Sequence, residues 1–238
     1  MEKVLYVVTP PDGATDAQLG RRLLDEAGPV LIDGGALGVQ LNVVDEVVAP
    51  AAGHRIASSA APAGALVSVW LDSATDHLRR WADDALAPHA GSLAAYLVTE
   101  SVPLSNTRHH AAVGERTEGF AQVAFLRRPD DLPDADWRHH WLDEHTPIAL
   151  VTQDTFGYVQ NVVVRPLTED APPWDGIVEE LFPAAAMTDP HAFFDAPGDD
   201  ERLRANQQAM FESCARFLDV SRIDVLPTSQ HVLRRPAG

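Results

Sequence analysis

Several features that would narrow the function are missing from this sequence. The single cysteine, Cys214, excludes an intramolecular disulfide and a thiolate metal cage. No apolar run approaches the roughly 18 residues of a membrane-spanning helix, and the first residues do not have the pattern of an export signal. A nucleophile elbow, a glycine-rich phosphate loop and a dinucleotide fingerprint are also missing. We therefore expect a cytoplasmic protein without a nucleotide site.

Basic residues are scarce. Lysine and arginine together number 18 against 35 acidic residues, which gives a net charge of -17. This charge repels phosphate backbones and anionic lipid, so we expect neither nucleic acid nor a membrane as a partner. The hydrophobic content of 45% is ordinary for a globular protein and allows a sizeable core.

Apolar periodicity and turn residues predict the order β-α-β-β-α-β twice. In the first half the predicted strands are 4–9, 37–48, 65–72 and 93–102, with helices at 16–30 and 76–87. In the second half the predicted strands are 120–127, 157–165, 176–182 and 223–233, with helices at 136–152 and 189–219. Each half therefore has the order of a ferredoxin-like unit, an α+β fold.

The two halves also match residue by residue, which indicates an internal duplication. At an offset of 118, the run from Leu24 to Val30 lies over the run from Leu142 to Ile148. Two such sheets would cover each other as an intrachain pseudo-dimeric α/β barrel with the helices outside. We predict a degenerate repeat at 1–110 and a second repeat at 118–238, which carries the site.

The duplication compares each residue with a counterpart in the same chain. His140 lies over Arg22, Trp141 over Leu23, His145 over Ala27 and Trp137 over Leu19. These two histidines and two tryptophans thus have no counterpart of the same type in the first copy, whereas the surrounding scaffold residues occur in both. We infer one site per chain, in the C-terminal half.

Imidazole titrates near neutrality, so His140 and His145 are candidate general acid and base. Their spacing places them ~140° apart on an ideal helix, and we expect Pro147 to kink the helix and turn one imidazole toward the other. The alternative is that one histidine caps or packs, and that only one of the two, or neither, takes part in chemistry. Tyr158, whose counterpart is Val39, is the third catalytic candidate.

The candidate substrate-binding residues are aromatic or carry an amide: Trp137, Trp141, Asn161 and Trp174. One of the neighbouring residues Glu179 and Glu180 must point inward, where a carboxylate has a raised pKa or a partner. The ligand types in His140-x-x-x-Glu144-His145 do not match a zinc motif. We predict neither a metal nor another cofactor.

The segment Trp137-Arg138-His139-His140-Trp141-Leu142-Asp143-Glu144-His145-Thr146-Pro147, followed by Tyr158-Val159-Gln160-Asn161, resembles the EthD-domain family of the dimeric α/β-barrel superfamily. The resemblance covers about residues 118 to 238 and is faint before residue 115. It implies a pocket between sheet and helices for a small, largely apolar molecule. It supports His140, Trp141, His145, Pro147, Tyr158 and Asn161 as the family positions.

Three functions follow from the resemblance and the residues. The first is cofactor-independent acid-base chemistry on an oxygenated apolar molecule, as a lyase or isomerase that performs dehydration, decarboxylation or isomerisation. The second is an oxidoreductase or an accessory component of an oxidative degradation pathway. The third is a non-catalytic binding protein for a small ligand. The duplicated barrel makes a monomer self-sufficient, and the outer helices offer a surface for a homodimer.

Overall fold

Eight antiparallel strands close into one barrel in the computed structural model, which describes residues 1–59 and 62–236. The strands are β1 (Glu2–Thr9), β2 (Gly38–Val43), β3 (Ala65–Leu71), β4 (Ser92–Leu104), β5 (Phe120–Leu126), β6 (Gly157–Pro166), β7 (Gly176–Phe182) and β8 (Asp224–Arg234). Their order around the barrel is β1-β3-β2-β8-β5-β7-β6-β4, and β4 pairs with β1 to close it. The predicted barrel fold is confirmed.

Each half supplies four neighbouring strands, and the halves join where β2 pairs with β8 and β4 pairs with β6. The pairing also fixes which residues are equivalent. Val4 pairs with Val69 in the first half, and Gln122 pairs with Glu180 in the second. Val4 is the counterpart of Gln122 at the offset of 118. Their strand partners are therefore counterparts too, so Glu180 corresponds to Val69.

Helices cover the outer face of the barrel. They are α1 (Asp16–Arg22), α2 (Gly28–Asp33), α3 (Asp76–Leu86), α4 (Asp134–Arg138), α5 (Thr146–Thr152), α6 (Pro190–Phe193) and α7 (Asp200–Cys214). In the described ranges, none of the helices is long and apolar enough to cross a membrane.

A π-helical segment interrupts the first long helix of each half. These segments are Leu23–Ala27, between α1 and α2, and His139–His145, between α4 and α5. In both halves a proline, Pro29 or Pro147, follows two residues later and removes a backbone donor from the ladder. In the second half the N–H of Thr146 instead bonds the carbonyl of Trp141, five residues back. The predicted distortion at Pro147 is thus a π-segment, a feature that often accompanies a functional site.

One predicted strand ends earlier than expected, and one predicted helical region is divided at its predicted break. Strand β2 stops at Val43 rather than at residue 48, because the Asp45 carboxylate accepts the backbone N–H groups of Val47 and Val48 and forms a turn. The predicted helical region 189–219 is divided into α6 and α7 by the Pro197-Gly198 break.

The alternation of side chains along the strands separates two interiors. One is the barrel lumen, whose apolar part contains Leu5, Tyr96, Phe125 and Ile177. The other lies between the outer face of the sheet and the helices. In the first half this outer layer is a core of valine, leucine and alanine around Tyr6.

Candidate functional site between sheet and helices

A cavity of about 150 Å³ lies in the outer layer of the second half. Strands β5 to β8 form its floor, and the π-segment and α7 form its roof. Its polar lining consists of Gln122, His145, Gln153, Tyr158, Glu180 and Cys214. Its apolar lining consists of Ala124, Leu126, Trp141, Val178, Met210, Phe217, Leu218, Ile223 and Val225.

Glu180 is the most unusual group of the cavity. The residue is 7% exposed, and its carboxylate has a single, long hydrogen bond, from Gln122 Nε2 at 3.4 Å. No Lys, Arg or His of the described residues lies within ion-pair distance of it. Burial raises its pKa to about 7, and the bond from Gln122 opposes this shift.

His145 lines the same cavity as a neutral imidazole. Its Nδ1 shares a hydrogen bond of 2.9 Å with Ser213 Oγ, and its ring packs on Phe217 at 4.7 Å between centroids. Burial lowers its pKa to about 4, so the ring is uncharged at neutral pH. Its Nε2 has no partner in the part of the chain that the structure describes and remains free for a ligand.

Tyr158 completes the polar set. The residue is 1% exposed, and burial, followed by the nearby Glu180 carboxylate, raises the pKa of its phenol far above the usual value. The hydroxyl therefore keeps its proton and can only donate or accept a hydrogen bond. Gln160 lies two residues after Tyr158 on the same face of β6. It donates to Thr146 Oγ1 at 2.6 Å and so connects β6 to the end of the π-segment.

Trp141 forms the apolar wall, and its position depends on Gly176. A Cβ at residue 176 would lie 2.6 Å from the Trp141 ring, so the close approach requires glycine. Trp137 packs behind Trp141, with ring centroids 4.9 Å apart, and does not line the cavity. Both tryptophans are fully buried and fix the depth of the cavity.

The structure brings three of the predicted site residues together and places the others elsewhere. Trp141, His145 and Tyr158 line one cavity. His140 lies near the surface, where its Nδ1 pairs with Glu144 Oε2 at 2.7 Å, so the two imidazoles do not converge. Asn161 lies in the barrel lumen and donates to the carbonyl of Ile177.

Trp174 is also outside the cavity. It packs in the apolar lumen against Phe125, with ring centroids 5.6 Å apart. Glu144, the third residue of the possible ligand set near His140, is bound by Arg216 at 2.9 Å. Within residues 1–59 and 62–236, no group of three His, Cys, Asp or Glu side chains is arranged to hold a metal ion.

The sequence prediction did not assign Glu180 or Gln122 to the site. A signal was nevertheless present, because both positions are valine in the first repeat, as Val69 and Val4. The same comparison that selected Tyr158 over Val39 would have selected these two residues, had it been extended from the helix to all four strands.

Residues 129–220 match the family model described as the EthD domain. This part of the chain is similar to the EthD domain. It contains α4 to α7 and strands β6 and β7, and therefore the roof of the cavity and half of its floor. No curated protein matches the chain in sequence.

Solved structures of the dimeric α/β-barrel type match over the whole chain. An anthrone oxidase-like protein is 8% identical, with a TM-score of 0.55, and the match covers 100% of this chain and 95% of that one. A candidate monooxygenase from Lactobacillus acidophilus NCFM is 9% identical, with a TM-score of 0.45 and coverages of 98% and 96%. At these identities the likeness shows the fold alone.

Proposed function

We propose that the EthD-like domain catalyses proton transfer on a small, largely apolar molecule that carries a carbonyl or hydroxyl oxygen. Glu180 is the observation that carries this proposal. A carboxyl group whose pKa lies at about 7 can take a proton at neutral pH and return it. A merely structural carboxylate in such a place would have a cation or several donors around it.

The neighbouring groups suit the oxygen of such a substrate. The Tyr158 hydroxyl keeps its proton because of its raised pKa and is a donor to a carbonyl oxygen. Neutral His145 offers Nε2 as a second hydrogen-bonding group. Buried donors of this kind stabilise negative charge that develops on oxygen, because little water competes with them.

The reaction that fits is removal of a proton from the carbon next to a carbonyl. Glu180 takes the proton, and the electron pair of the C–H bond moves onto the oxygen as an enolate, which accepts a hydrogen bond from Tyr158. Return of the proton to another carbon gives an isomer. If the β-carbon carries a hydroxyl group, the proton returns to that oxygen, the enolate electron pair forms the Cα=Cβ bond, and the C–O bond breaks. The products are water and an α,β-unsaturated carbonyl compound. Loss of carbon dioxide from a β-keto acid gives the same enolate, which protonated Glu180 then quenches.

Oxidation of the same carbanion by dioxygen is the second candidate. The apolar side chains Trp141, Met210 and Phe217 favour it, because they keep bulk water from the carbanion. Oxygen uptake that depends on substrate would assign the protein to this class.

Deuterium exchange tests the shared first step. The protein is incubated in D₂O with 2-tetralone or 1-indanone, and loss of the proton signal beside the carbonyl is followed by NMR. We expect catalysed exchange that Glu180→Gln slows by about 10²–10⁴-fold, the usual contribution of a general base. Tyr158→Phe should slow it by about 10²-fold, since one oxygen-binding donor is removed.

His140→Ala is the matched control, because it removes an imidazole of the same helix that lies outside the cavity. It should leave the exchange rate within twofold of that of the parent protein. Equal rates for the parent and Glu180→Gln would refute the role of Glu180. If both ketones bind without exchange, the non-catalytic alternative is supported instead.

A further inference from the structure

A second cavity, of about 290 Å³, opens at the polar end of the barrel lumen. It lies on the opposite face of the sheet from the EthD pocket, since Glu179 lines it and the next residue, Glu180, points outward. Both repeats contribute to it, together with the segment 105–111 that links them. The cavity is therefore a feature of the fused barrel, whereas the EthD pocket lies in the second half.

The Glu179 carboxylate in its wall is saturated by donors from both repeats. Glu179 Oε2 accepts Gln40 Nε2 at 2.5 Å and Asn42 Nδ2 at 2.7 Å, and Oε1 accepts Asn161 Nδ2 at 3.2 Å. Lys3 Nζ lies 3.4 Å from Oε1 and is shared with Glu100, to which it is closer. Because strands β2 and β7 are not neighbours, these bonds cross the lumen and hold the wall in place.

This network fixes the orientation of the Gln40 amide. Its Nε2 must donate to the carboxylate, so its Oε1 is an acceptor with no partner among the residues described. Gln230 has the complementary arrangement, because its Oε1 accepts from Thr117 Oγ1 at 3.0 Å and its Nε2 is left as a donor. Both glutamines line the cavity.

The two amides lie close together on adjacent strands. Strand β2 pairs with β8 so that Asn42 faces Gln230 and Gln40 faces Val232, which makes Gln40 and Gln230 diagonal neighbours on one face. A free acceptor and a free donor therefore stand side by side. Apolar side chains of Val102, Val159, Val232 and Leu181 form one part of the remaining wall. The mouth also has polar residues: Ser105, Asn106, His109, His110 and Arg235.

We propose that this cavity is a second binding site, for a small neutral ring with a cis-amide edge, such as a lactam, a cyclic urea or a pyrimidinone. In such a molecule the N–H and the C=O lie on the same edge. The N–H donates to Gln40 Oε1 and the C=O accepts from Gln230 Nε2, while the valine side chains contact the faces of the ring.

The first repeat supplies Gln40, the residue that would accept the N–H of the ring. The counterpart of Gln40 is Val159, which lines the same cavity from the other side. At this position the cavity therefore has one glutamine rather than a symmetric pair. The N-terminal copy, which lacks counterparts of the two histidines and two tryptophans, contributes this glutamine.

Protein-detected NMR with two matched rings tests the proposal. The probes are 2-pyrrolidinone, which has the cis-amide edge, and cyclopentanone, which has the same shape and no N–H. We expect 2-pyrrolidinone to shift the side-chain amide signals of Gln230 and to bind at least tenfold more tightly than cyclopentanone, the value of about one hydrogen bond. Gln40→Val and Gln230→Leu should each weaken 2-pyrrolidinone binding about tenfold.

Glu180→Gln, in the EthD pocket, should leave the affinity for 2-pyrrolidinone unchanged. Gln230→Leu does not touch Glu179, so it remains informative if Gln40→Val unfolds, and thermal unfolding of each variant checks this. Equal affinities for the two rings, or affinities that neither lumen variant changes, would overturn the proposal. Loss of binding in Glu180→Gln would place the ring in the other pocket and would also overturn it.

Discussion

The two halves of the chain fill the same layer between sheet and helices in different ways. In the first half, Val69 and Val39 face an apolar helix that presents Leu23 and Ala27. In the second half, Glu180, Tyr158, Trp141 and His145 occupy the corresponding positions and line a cavity. Both halves share the four strands and a π-segment in the first long helix, whereas α6 and α7 stand where the first half has α3. The side chains at matching positions of the strands and the π-segment also differ.

Buried polar groups occur in both layers, but their pairing differs. In the first half the Tyr6 hydroxyl donates to Asp83 Oδ1 at 2.8 Å, and Arg79 donates to the same oxygen at 2.8 Å. In the second half Glu180 has one hydrogen bond of 3.4 Å. Paired polar groups stabilise a fold, whereas a buried group without a strong partner is costly and is typical of a functional site.

The strongest test of this comparison places the side chain of Glu180 at the matching position of the first half. Val69→Glu would bury a carboxylate in the apolar first layer and should lower the free energy of unfolding by about 3–5 kcal/mol at pH 8. Urea unfolding measures it. Val69→Gln is the control for size, and a loss below 1 kcal/mol would show that the first layer also accepts an unpaired carboxylate.

The pH dependence of stability sharpens the comparison. The folded protein raises the pKa of Glu180 from 4.5 to about 7 and so binds an extra proton between these values. Stability contributed by this residue therefore falls as pH rises from 4.5 to 7 and is constant above. The difference corresponds to about 3 kcal/mol.

Glu180→Gln should consequently match the parent protein near pH 4.5 and exceed its stability by up to about 3 kcal/mol at pH 8. Denaturant unfolding of both proteins across this range measures the difference, and subtraction removes the other titrating groups. A variant that is less stable than the parent at pH 8 would mean that the ionised carboxylate has a strong partner.

The strand order, the helices and the closed barrel could be predicted because apolar periodicity and the repeat both depend on residues close in sequence. The repeat also pointed to Trp141, His145 and Tyr158, which line one cavity. The end of β2 was missed because it depends on a local side-chain bond from Asp45 to the backbone, which apolar periodicity does not show.

The membership of the site was less predictable. Alternation showed that Glu179 and Glu180 face opposite ways, but each side of this sheet is an interior, so burial alone did not select one. The choice depends on long-range partners: Lys3, Gln40 and Asn42 saturate Glu179 from across the lumen, and nothing equivalent reaches Glu180. Such contacts join residues more than 130 positions apart.

A smaller effect concerns the wall behind the cavity. Gly176 corresponds to Ala65 in the first half, where Leu23 replaces Trp141. Gly176→Ala should cost about 1–3 kcal/mol, the usual penalty of overpacking, because the new methyl group meets the indole. Adding Trp141→Leu should recover part of this loss, as a double-mutant cycle by urea unfolding would show. Additive losses would mean that the two residues do not interact.

The smallest effect is expected at His140, the predicted catalytic residue that lies outside the cavity. Its counterpart is Arg22, so both halves place a polar side chain here, and its imidazole pairs with Glu144 rather than with a group of the pocket. His140→Ala should change the free energy of unfolding by about 0.5 kcal/mol or less and leave the rate of deuterium exchange within twofold of that of the parent protein.

His145→Ala removes a group of the cavity and should reduce the rate of exchange by about tenfold or more. Because the two histidines lie in one π-segment, a loss of exchange in His140→Ala equal to that in His145→Ala would show that His140 enters the pocket when substrate binds.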